Sequence, residues 1–68
     1  MMMWTHELPI SSPIRQQRER LYRERPHEVL GPLRILAKSS RRELREFGLH
    51  WLEDYERWLE YTAQERAA

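Results

Sequence analysis

The chain has no cysteine, only two glycines and one lysine among its 68 residues. Without cysteine there is no disulfide, no thiolate metal ligand and no thiol nucleophile. Two isolated glycines cannot build a glycine-rich loop around a phosphate. No run approaches the roughly 18 consecutive apolar residues of a membrane-spanning helix, so no membrane partner is expected. The opening stretch Met1–Glu7 lacks a basic segment followed by an apolar one, so no signal peptide is expected and the cytoplasm is the default compartment.

A chain this short buries a smaller share of its surface than a typical domain. Small folds usually rely on disulfides, a metal or a second chain. The first is excluded, and three scattered histidines make the second a poor prospect, which leaves a partner. The basic residues are eleven Arg against Lys38 alone, a skew expected from GC-rich codon usage and hence from a bacterium or its phage.

The net charge is +1 but unevenly spread. Ten basic residues face four acidic ones between Arg15 and Arg45, a local +6, whereas Glu46–Ala68 carries −4. Such a dipole suits either a polyanion on the basic half or head-to-tail pairing of two chains.

Residues 1–12 show neither helical nor strand periodicity and read as an N-terminal arm whose apolar content suits lying against something. Residues 13–68 read as one helical domain. Ser12-Pro13 is a helix opening, with Ser at the N-cap and Pro in the first turn, where its missing N–H costs nothing. A first, basic helix is expected over Pro13–Arg25, stopped by Pro26. Beyond it, Gly31-Pro32 is expected to break the chain's helical path and restart it as a short second helix, with Val29, Leu30, Leu33, Leu36 and Ala37 at core spacing. Ser40-Arg41-Arg42-Glu43 fits a capping box, opening a long amphipathic helix over Arg41–Gln64. Gly48 costs that helix about 1 kcal/mol against Ala, yet the apolar phase is the same on both sides, so continuity is expected.

The fold class expected is therefore all-α: two short helices plus one long C-terminal amphipathic helix. Along the latter, Leu44, Phe47, Trp51, Tyr55, Trp58 and Leu59 form an aromatic-rich stripe. Its large rings, each burying about 150–250 Å², demand more apolar cover than the short helices offer. Trp and Tyr at the centre of a charge-rimmed apolar face are also what protein interfaces concentrate. Arg41, Arg42 and Arg45 stand at the N-terminal end of the helix and Glu53, Asp54, Glu56 and Glu60 further along, the reverse of what its dipole prefers. An antiparallel twin would set each end beside its opposite, so a homodimer is expected.

No catalytic constellation emerges. His50 and Asp54 stand four apart on one helical face, a possible edge of a metal site, but a site needs three or four ligands, and a plain helical pair is the simpler expectation. All four Ser occupy cap or turn positions, and Glu53, Glu56 and Glu60 line the polar face. The sequence reads as a non-enzyme without cofactor, metal or small-molecule substrate. The function expected is a small protein-binding regulator or inhibitor that covers a surface of a larger host protein. Its six stripe residues would be the interface, with Arg15, Arg18, Arg23, Arg41, Arg42 and Arg45 steering toward an acidic surface. The alternative is a nucleic-acid-binding regulator using those arginines on phosphates.

Overall fold

A computed structural model describes residues 3–67. Among them the chain is all-α: a 3-10 turn over Thr5–Glu7, then α1 (Pro13–Glu24), α2 (Pro26–Ala37) and α3 (Arg42–Ala67). None of these helices is long and apolar enough to cross a membrane.

α1 opens as its sequence dictates, with the Ser12 hydroxyl accepting from the Arg15 N–H and Pro13 in the first turn. It ends one residue before the expected Arg25. That residue precedes Pro26, and its backbone (φ −137°, ψ 50°) has left the helical region because the proline ring crowds a helical conformation there.

The expected break at Gly31-Pro32 does not occur: α2 runs unbroken over Pro26–Ala37 with Pro32 inside it. Pro32 has no N–H for the carbonyl of Glu28, four residues back. Both residues lie on the exposed side of the helix, where water can satisfy that carbonyl, and the fixed φ of proline is itself helical. Leu30 and Leu33, on either side of the interruption, are both buried, so one packed face holds the two halves in line.

α3 begins at Arg42 and reaches Ala67, beyond the expected Gln64. The serine that orders its start is Ser39 rather than Ser40: the Arg41 N–H donates to Ser39 Oγ at 3.1 Å. The reason lies in α2, whose last turn closes through Lys38 N–H to Ile35 O and Ser39 N–H to Leu36 O. This tight exit shifts the linking turn by one residue. α3 passes through Gly48 without interruption, as its periodicity predicts.

Gly48 is where α2 and α3 meet. A Cβ there would lie 2.6 Å from Ala37 N and 2.8 Å from Leu33 O, so the absent side chain lets the two backbones touch. α1 stands further from α3 and reaches it through long side chains. The buried apolar core is accordingly small, consisting of Tyr22, Leu30, Leu33 and Trp58, and it is joined by buried Thr5, Arg15 and Asp54.

Candidate protein-binding groove

The distance between α1 and α3 is bridged by two carboxylates. Asp54, 1% exposed, accepts the Thr5 N–H on Oδ1 (2.7 Å) and both the Thr5 hydroxyl (2.7 Å) and the Tyr22 hydroxyl (2.6 Å) on Oδ2. One side chain of α3 thus holds the arm and α1 together, and three donors satisfy a charge that burial would otherwise penalise. Burial, followed by the bond to Asp54, pushes the Tyr22 hydroxyl well above the usual phenol range. It stays a donor at any ordinary pH.

Glu19 is the second bridge. It accepts the indole N–H of Trp58 (2.9 Å) and Nε of Arg15 (3.0 Å), with Arg23 3.5 Å away. Burial favours its neutral form, but the Trp58 and Arg15 bonds and the two positive charges outweigh burial and hold the carboxyl below its ordinary value. Arg15 in turn donates to the carbonyls of His6 (3.1 Å) and Leu8 (2.6 Å), so the arm is anchored at both its turn and its exit.

These bridges cluster toward the C-terminal half of α3 and leave its N-terminal half open to α1. There, a groove of about 410 Å³ runs between all three helices. Tyr22 and Leu33 form its base, Val29, Pro32 and Leu36 one wall, and Leu21, Phe47 and Trp51 the remainder, with Arg18 and Glu28 the charged groups. Phe47 is 52% exposed and Leu21 39%. The Arg18 guanidinium lies 4.2 Å from the centroid of the Trp51 ring, a cation–π contact that holds both groups in place. Past Arg18, a smaller apolar concavity lined by Met3, Leu8 and Ile14 extends the same surface.

The structure sorts the residues singled out from sequence. Of the stripe, Phe47 and Trp51 line the groove and Leu44 is exposed. Tyr55 is half-buried, its ring edge-on to Tyr22 at 5.1 Å. Trp58, 4% exposed, is enclosed beneath α1, so it is a core residue of the single chain rather than part of its surface. Leu59 is exposed but lies outside the groove. Of the arginines, Arg15 is buried and spent on the arm, Arg23 pairs with Glu19 and Arg42 with Glu46. Arg18 sits on Trp51, Arg41 is exposed, and Arg45 donates to the Ser39 carbonyl (3.3 Å).

The expected His50–Asp54 pair is absent. Asp54 turns to Thr5 and Tyr22, while His50 stacks on Trp4 at 4.9 Å. Among the described residues no group of three or more His, Asp or Glu side chains is placed to hold a metal ion. Sequence reasoning missed Val29, Pro32 and Leu36 as groove residues, because the wall of α2 exists only if that helix continues through Pro32, and it missed Leu21 of α1, whose place opposite Phe47 and Trp51 depends on how the helices pack. Comparison of the chain with protein-family models, curated protein sequences and solved structures finds no match.

Proposed function

We propose that the chain is a non-enzymatic helical regulator of a bacterium or its phage. It acts in the cytoplasm as an inhibitor, of anti-defence or anti-regulator type, by covering a functional surface of a larger host protein. The observation that carries this reading is the groove. Its apolar side chains come from three helices, and Phe47 joins Leu21, Val29, Pro32, Leu36 and Trp51 in one contiguous concave patch, the kind of surface that marks an interaction site. The occupant it suits is one amphipathic helix of the target, laid in by its apolar face. An acidic residue of that helix would meet Arg18, which makes no ion pair with any described residue. Trp51, held beneath Arg18, would be a rigid anchor of the kind that dominates binding energy.

The expected antiparallel homodimer takes a narrower form in this reading. With Trp58 enclosed, self-pairing would rely on Leu44, Phe47 and the groove, so a second copy and the target compete for one surface.

The test is affinity copurification from host lysate with nuclease present, followed by direct titration of the captured protein against purified variants. A protein retained by the wild type and by Leu59→Ser but lost with Phe47→Ser supports the reading. Capture indifferent to Phe47, or no capture at all, overturns it. Equilibrium sedimentation of the same variants shows whether a second copy occupies the groove instead.

A further inference from the structure

The fold separates two kinds of arginine. Apart from Arg18, which lies on the Trp51 ring, those on α1 are neutralised within their own helix: Arg15 and Arg23 by Glu19 and Arg20 by Glu24, while Arg25 pairs with Glu28. Around the turn joining α2 to α3 the pattern reverses. Arg34, Lys38, Arg41 and Arg45 make no ion pair with any described residue. The first three are exposed, and Arg45 is half-buried.

These four belong to one corner. Arg34 and Lys38 are one helical turn apart, as are Arg41 and Arg45, which places each pair about 6 Å apart along its axis. The close contact at Gly48 holds the two helices side by side. The corner also points away from the groove. Arg34 and Lys38 each follow a groove residue, Pro32 or Leu36, by two positions, and Arg45 precedes Phe47 by two, which is about 200° around a helix. Of the acidic residues nearby, Glu46 is taken by Arg42. Glu43, two positions before Arg45, projects from the other side of α3. The C-terminal end of α2 and the N-terminal end of α3 meet at this corner, so their dipoles offset and the positive potential rests on the four side chains.

We infer that this corner is a second interaction surface, which binds the phosphodiester backbone of nucleic acid. Four cations without an ion-pair partner among the described residues suit a ligand that repeats its charge. A duplex carries one phosphate per about 1.7 Å of axis, so several fall within reach in any register. Contacts to phosphates alone position a protein without reading sequence, so binding is independent of base sequence.

The test measures fluorescence anisotropy of the whole chain with labelled RNA and DNA duplexes of about 20 base pairs. Four phosphate contacts give a log–log salt slope near −3.6, hence a loss of roughly a hundredfold in affinity between about 50 and 200 mM salt. The variant Arg34→Gln/Lys38→Gln/Arg41→Gln, with helicity checked by circular dichroism, should bring the slope to about −1. Phe47→Ser should leave it unchanged, so this inference and the groove reading fail separately. The RNA and DNA arms show which backbone is preferred. The inference is overturned by no binding at about 50 mM salt, by an equal loss in the control Arg20→Gln/Arg25→Gln, or by displacement with poly-glutamate as effective as with nucleic acid, which would make the corner a site for acidic protein.

Discussion

Tyr22 and Asp54, 32 residues apart in the chain, meet in a buried hydrogen bond of 2.6 Å. With the two Thr5 bonds on the same carboxylate, this contact joins arm, first helix and last helix at one point. Hydrogen bonds to a charged group contribute about 1.5–3 kcal/mol each. Asp54→Ala strands three donors and should cost about 3 kcal/mol or more, a large fraction of the stability of any small domain. Tyr22→Phe removes one donor and should cost about 1–2 kcal/mol. Urea denaturation measures both, and an Asp54→Ala midpoint equal to wild type would contradict the bridging role.

Stability should fall at both extremes of pH, for different reasons. Glu19 holds its charge in the fold below the ordinary carboxyl value of 4.5, so the unfolded chain takes up the proton first. Its contribution is present above that value and is lost as pH falls through the lower, folded value. Tyr22 holds its proton above the ordinary value of 10.0. Its contribution is complete below that value and is lost as pH rises beyond it. Melting temperature followed from about pH 3 to pH 11 should show both limbs, the acid one flattened by Glu19→Gln and the alkaline one by Tyr22→Phe. An unchanged alkaline limb in Tyr22→Phe would assign it to other groups.

Gly48→Ala separates two effects of opposite sign. Helix propensity alone favours alanine by about 1 kcal/mol. The added Cβ would meet backbone atoms of α2 at 2.6 and 2.8 Å, and backbone cannot rotate out of the way as a side chain can. Net destabilisation is expected, by about 1–3 kcal/mol as for overpacked cores generally. A variant more stable than wild type would mean that α2 and α3 do not touch there.

Pro32→Ala should act in the other direction. It restores an N–H for the Glu28 carbonyl, and an interior proline costs a helix about 3 kcal/mol. The freer unfolded chain returns about 0.4–1 kcal/mol of that. A net gain of about 2–2.6 kcal/mol is expected in thermal denaturation. A loss would show that the ring itself packs in the groove wall.

Local signals in the sequence carried the helices well. Ser12-Pro13 announced α1, Pro26 ended it within one residue, and the four-three spacing carried α3 through Gly48. What stayed hidden depended on tertiary contact. Gly31-Pro32 is a breaker by local rules, and only burial of Leu30 and Leu33 on one face overrides it. Asp54 lay on an acidic stretch and was expected to pair with His50, since nothing local marks Thr5 and Tyr22 as its donors. For the same reason the stripe looked homogeneous, although Trp58 is sealed by Glu19 and α1 while Phe47, three turns earlier, faces water. The arginines were legible as a total but not as individuals, because pairing such as Arg15 with Glu19 depends on where each side chain is directed.

The anchoring of Thr5 on Asp54 also bears on the order in which the molecule assembles. α2 and α3 are neighbours in sequence and can dock through a turn of a few residues, a contact of low sequence separation that forms quickly. The Thr5–Asp54 contact spans 49 positions and can close only once α1 and α3 are in place. Opening of the arm should therefore be the first sub-global fluctuation of the native state, with Thr5 N–H exchanging faster than the amides of α3 around Gly48.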